Sequence, residues 1–231
     1  MVDDYGADDL ADGGVFHVWP AFVDLLAATS LLFISLVAAF IFVSNTEIGE
    51  TITQRRQLIR ALKSVGGADS LYAIRDDAQF VRITVQADAT FPSKEWRLDS
   101  LRAEGKLALD SIGGILKRQA IDSLYRQVRV LGHTDQEPFA DKRTSNWELS
   151  AARAAVVARY LVDSGGLNPC KVSAAGMGPY YPLSLQDPSV RGLPYRQRME
   201  RNRRIEIEVV PARAAGVVEG PKCSQRGDRR F

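Results

Sequence analysis

Asp24 is the only charged residue in the run VWPAFVDLLAATSLLFISLVAAFIFV at 18–43. A carboxylate in so apolar a stretch is unfavourable by a few kcal/mol unless it meets a partner, a water-filled cavity or the interface, so it reads as functional, able to bind and release an ion. Much later, His133, Thr134 and Asp135 directly follow a strand-like run. A His beside an Asp is the pairing that hydrolysis or metal binding would use. His17 and His133 are the only histidines, however, and no nucleophile motif accompanies them, so no catalytic residue and no metal ligand is assigned. Cys170 and Cys223 are too few for a disulfide framework or a four-ligand zinc site. One bridge between them is open in an oxidising compartment. No Gly-rich phosphate loop opens a helix, since the GGI at 113–115 lies inside a helical run. Nucleotide binding, a cofactor and an enzymatic role are not expected.

The element that carries Asp24 must cross a membrane. Residues 18–43 make roughly 39 Å of helix, enough for a bilayer. The stretch is too long for a cleaved signal peptide. The residues before it hold Asp3, Asp4, Asp8, Asp9 and Asp12 with no Lys or Arg. Pro20 fits the first turn, where its missing N–H is no loss. At 100° per residue, Asp24, Ala28, Ser35 and Ala39 share a side, with Leu31 between them, while Leu32, Phe33, Leu36 and Phe40 cover the rest. Small residues allow close helix approach in lipid, so the acid's side is expected to face other membrane helices.

The remaining chain reads as a soluble α/β domain. The 231 residues carry a formal charge of +2, too little for a nucleic-acid partner to be inferred from charge. Residues 44–78 form a polar linker in which Ile48, Ile52, Leu58, Ile59 and Leu62 recur near helical spacing. This connector is either a helix that pairs with its copy in a dimer or a plug lying on the membrane surface. Strands are expected at 80–85, 127–131, 172–175 and 204–210, and helices at 100–119 and 146–163. The order βαβαββ implies helices packed on a small mixed sheet. The tail at 211–231 reads as disordered.

Four blocks occur in order: GHTD at 132–135, NWELSAARAAVVARYLV at 146–162, AAGMGPYYPL at 174–183 and NRRIEIEV at 202–209. Together they resemble the OmpA/MotB C-terminal domain over about residues 80–210. The NWELSAARA wording, with ten residues between Asp135 and Asn146, is closer to MotB than to outer-membrane OmpA proteins. The resemblance implies non-covalent peptidoglycan binding through diaminopimelate. Asp135 matches the family's binding acid and Arg153 its binding arginine, while Asn146, Leu149 and Ser150 match positions that shape the pocket. The chemistry is sound: a carboxylate accepts from an ammonium, and a guanidinium grips a carboxylate through two parallel bonds. Arg203 and Arg204 stand as secondary candidates, and an edge-strand charge explains them equally well. His133 is expected to hold the strand-to-loop turn.

A membrane acid, a connector and a wall-binding domain are similar in layout to MotB-type stator subunits. That implies a homodimer within a ring of five MotA-like subunits, carrying H⁺ or Na⁺ through Asp24. It also implies an inner-membrane location, with residues 1–17 cytoplasmic and 79–210 periplasmic. Arg55, Arg56, Arg60 and Lys63, on the C-terminal side of the span, argue for the opposite orientation, but long domains translocate largely regardless of charge. The acidic N-terminus and the FVDLLAATSLLFI context depart from flagellar members and resemble instead the MotB-like member of the Zorya anti-phage system. Flagellar use and a static membrane-to-wall tether are the alternatives.

Overall fold

A computed structural model describes residues 18–64, 72–77, 79–137 and 145–212. The expected N-terminal tail and nearly all of the expected C-terminal tail lie outside these residues. The chain divides into two compact units, Met1–Ile48 and Gly49–Phe231, and helix α1 (Val18–Lys63) contributes residues to both.

In the first unit, the 26 residues Trp19–Ser44 form a helix long and apolar enough to cross a membrane, with none of it buried within the protein. Two of its hydroxyl groups are satisfied within the helix, as an apolar surround favours. Thr29 Oγ1 donates to the Leu26 carbonyl at 3.0 Å and Ser35 Oγ to the Leu32 carbonyl at 2.8 Å. Asp24 has no hydrogen-bond or ion-pair partner among the described residues.

The second unit is built on a five-stranded sheet in the order β1-β2-β5-β3-β4. Its strands are β1 (Tyr72–Asp76), β2 (Val81–Gln86), β3 (Tyr125–His133), β4 (Val172–Gly178) and β5 (Arg204–Pro211). All neighbours are antiparallel except β3 and β4, which run parallel. That parallel pair needs a crossover, supplied by the long helix α5. Between β2 and β3 come α2 (Ala87–Thr90), α3 (Ala103–Leu116) and α4 (Gln119–Asp122), and α5 is Asn146–Asp163. Short helices α6 (Leu183–Gln186), α7 (Pro188–Arg191) and α8 (Tyr195–Asn202) lead into β5.

The core follows from alternation. Ile205, Ile207 and Val209 of β5 meet Val81, Ile83 and Val85 of β2 and Val128 and Val130 of β3 in one buried cluster. Onto it pack Leu109, Ile112 and Leu116 of α3 and Val157 and Leu161 of α5.

Two features differ from the sequence reading. The stretch assigned to the linker contains β1, whose residues pair with β2 from Tyr72↔Val85 to Asp76↔Val81. As an edge strand with a polar outer face it carries no strong apolar alternation, so its pattern YAIRD reads as linker. The last turns of α1 also belong to the domain: Leu58 and Leu62 are fully buried in the core. Arg55 Nε pairs with Asp76 at 2.9 Å. Leu58 and Leu62 therefore spend their apolar surface on the domain rather than on a membrane-surface plug or a paired copy.

Candidate ligand-binding site

The N-terminal half of α5 sets the site. Ser145 caps this helix in a reciprocal box with Glu148, satisfying two otherwise orphan amides. Close contact with the sheet depends on two glycines. A Cβ on Gly132 would sit 2.0 Å from the Ser150 carbonyl oxygen, and one on Gly176 would sit 2.6 Å from the Ala151 nitrogen. Ser150 tightens the contact: its Oγ accepts from the Gly178 amide at 3.0 Å and donates to the Trp147 carbonyl at 2.9 Å. Ser150 therefore fastens helix to strand and does not line the pocket, contrary to its sequence assignment; its buried hydroxyl turns to the β4 backbone.

In front of α5 opens a pocket of about 500 Å³, lined on one side by Thr134, Asp135, Asn146, Leu149, Arg153 and Arg203. Four of the five expected pocket residues thus come together. Asp88 of α2 and Phe91, Ser93 and Lys94 of the loop after it complete the lining, with Arg102 and Glu137.

Arg153 is 2% exposed. Its Nε donates to the Glu95 carbonyl at 2.9 Å and its Nη2 to the Pro92 carbonyl at 3.1 Å. Nη1 has no hydrogen bond among the described residues. The guanidinium also lies over the Phe91 ring at 5.5 Å. Burial pulls Arg153 below its ordinary value, while Asp88 and Asp135 act in the opposite sense.

Asp135 is held from two sides. The Glu137 amide donates to Oδ1 at 3.2 Å, and Arg203 Nη1 donates to Oδ2 at 2.8 Å. Arg203 also grips Asp88 through Nε and Nη2, the shorter bond being 2.7 Å. Those bonds, Asp88's first, hold the Arg203 guanidinium above its ordinary value. Each carboxylate oxygen has two acceptor positions, so Asp135 can still accept from a ligand. Asn146 Nδ2 secures the loop by donating to the Glu137 carbonyl at 3.0 Å. Thr134 Oγ1 is buried with no partner among the described residues.

Arg204, the neighbouring candidate, is elsewhere. Fully buried, it donates from Nε to Glu206 at 2.7 Å and from Nη2 to the Tyr181 carbonyl at 3.2 Å. Successive strand residues face opposite sides of a sheet, which separates Arg204 from Arg203. His133 is 3% exposed at the end of β3, with Nε2 3.4 Å from Glu206. Cys170 is disulfide-bonded, and Cys223 lies outside the described residues.

Asp88 and Phe91 carried no signal in the sequence, because they sit more than forty residues upstream of the GHTD block and reach the pocket only through the β2–β5 pairing.

Residues 91–191 match the OmpA family. The chain is 36% identical over 129 residues to an outer membrane protein A of Serratia odorifera, a match covering 54% of this chain and 49% of that protein. The chain thus spans about half that relative's length. Its fold is that of a MotB-like protein from Desulfovibrio vulgaris, with TM-score 0.58 and 22% identity over 71% of this chain and 98% of that one. The cell wall anchor of the T6SS from Pseudomonas aeruginosa is also similar, with TM-score 0.52 and 30% identity over 67% of this chain and 96% of that one.

Proposed function

We propose that this chain binds peptidoglycan through the pocket in front of α5 and links it to the inner membrane through α1, as the wall-anchored, ion-carrying subunit of a MotA/MotB-type complex. The observation that carries the binding reading is the meeting of Asp135 and Arg153 in one pocket with Asp88 and Arg203. Three carboxylates, Asp88, Asp135 and Glu137, and the cations of Lys94, Arg102, Arg153 and Arg203 in one small cavity suit a zwitterionic group. The side-chain end of diaminopimelate is one, presenting an ammonium to Asp135 and a carboxylate to the Nη1 edge of Arg153. A disulfide at Cys170 suits an oxidising compartment such as the periplasm.

Binding is tested by sedimentation with purified peptidoglycan. The unmodified chain pellets with the wall and releases no soluble fragments. Asp135→Ala weakens binding by roughly thirtyfold or more, the cost of removing one partner of a charged hydrogen bond. Arg153→Lys keeps the charge, loses the fork and also weakens binding. Undiminished sedimentation of both variants would sink the assignment.

The motor reading rests on Asp24, the one polar side chain of the span with a charge and without a local partner. Its context and the acidic N-terminus favour a non-flagellar, anti-phage role of the Zorya type. The likeness to a cell wall anchor favours a second reading, a static tether, which would keep the pocket and have no use for Asp24.

A further inference from the structure

We infer that the tilted aromatic pair Trp147 and Tyr180 is a glycan platform: a saccharide subsite beside the pocket that takes an N-acetylhexosamine ring of the strand whose peptide fills the pocket. The inference rests on the peptidoglycan reading and extends it to the sugar.

The two rings lie 5.5 Å apart between centroids, tilted by 38°. Trp147 is 50% exposed and Tyr180 63%, so neither is a core residue. Large aromatic faces left in water beside a polar pocket mark a surface that meets another molecule.

Two backbone links tie the pair to the pocket. Trp147 follows Asn146, which lines the pocket. Gly178 lies against both rings, since a Cβ there would meet the Tyr180 ring at 3.4 Å and the Trp147 ring at 3.7 Å. The Gly178 carbonyl in turn accepts from the amide of Thr134, a pocket residue, at 3.1 Å.

The loop carrying Tyr180 is built rather than loose. Arg204, fully buried, donates to the Tyr181 carbonyl at 3.2 Å, and Asn202 Oδ1 accepts from the Leu183 amide at 2.8 Å. Two interior side chains thus pin the segment that presents the ring, which limits the ordering cost of binding. A peptide stem seated on Asp135 and Arg153 is attached to its sugar, and the sugar must leave the pocket across its rim. A pyranose ring has an apolar C–H face that stacks on an aromatic ring, while its hydroxyls stay in water.

Isothermal titration of the full chain in detergent decides this, comparing the disaccharide-tripeptide that contains diaminopimelate with the same tripeptide lacking sugars. The unmodified chain binds the disaccharide form roughly three- to tenfold more tightly. Trp147→Ala and Tyr180→Ala each erase that advantage while leaving tripeptide affinity within about twofold, and Trp147→Phe restores part of it. Equal affinity of the unmodified chain for both ligands, or equal losses for both in the variants, would overturn the platform alone. Self-association that disappears in Tyr180→Ala with no change in ligand binding would overturn it in favour of a second copy. Failure of the unmodified chain to bind either ligand would bring down the peptidoglycan reading and this one with it.

Discussion

At the scale of residues, the face of β5 opposite the core is a buried charge ladder of Arg204, Glu206 and Glu208, all at or below 5% exposure. Arg82 lies 3.5 Å from both glutamates, and Arg129 pairs with Glu208 at 2.8 Å. Burial would push Glu206 up, but the contact with His133 and the charges of Arg204 and Arg82 outweigh it and hold Glu206 at about 2. Burial pushes His133 below its ordinary value, against the pull of Glu206. Both groups are therefore depressed on folding. Each contributes stability that is present above its unfolded value and lost as pH falls through its folded one. Stability should fall first below about pH 6.5 as His133 charges, and again below about 4.3 toward the Glu206 value. Guanidinium unfolding at pH 7.5 and 5.5 checks the upper step, which His133→Gln should flatten. A midpoint that stays constant over that interval would contradict a neutral, buried imidazole.

At the scale of elements, α5 does two separable jobs. Its N-terminal box sets its stability, and its fit against β3 and β4 sets where Arg153 points. Ser145→Ala removes the cap and should cost about 1 kcal/mol while leaving peptidoglycan affinity nearly unchanged. Gly132→Ala places a methyl group against the α5 backbone, which cannot rotate away. It should cost about 1–3 kcal/mol or more and weaken binding too, because the helix must lift from the strand that ends at His133, two residues before Asp135. Thermal melts paired with sedimentation separate the two variants; a Gly132→Ala protein with unchanged affinity would show that the helix can shift without moving the site.

At the scale of the whole molecule, Asp24 separates a motor from a tether. Asn keeps the size and polarity of Asp but cannot carry the charge that pairs with a proton or sodium ion. Phage plating on a non-motile host carrying this gene with its chromosomal neighbours is the direct assay. Asp24→Asn, at matched protein level, should abolish protection while its peptidoglycan sedimentation stays intact. Protection that persists would remove Asp24 from the mechanism and favour the tether.

The sequence by itself determined what is local or repeated along the chain. The spanning helix was legible because a 26-residue, mostly apolar run with a single charge has few other destinations. Strands β2 to β5 and helix α5 were legible because alternation, Ser145 with Glu148, and Gly165-Gly166 mark their register and ends. Asp135, Asn146, Leu149 and Arg153 were legible because they sit in motifs. Only the tertiary structure decided the rest. It placed Tyr72–Asp76 in the sheet and Leu58 and Leu62 in the core. It brought Asp88 to Arg203 across 115 residues, and it turned Ser150 and Arg204 away from the pocket. Which side chain faces a cavity depends on register between strands distant in sequence and on close helix-to-sheet contact at Gly132 and Gly176. A linear pattern does not encode either, because both are properties of surfaces that meet only after folding.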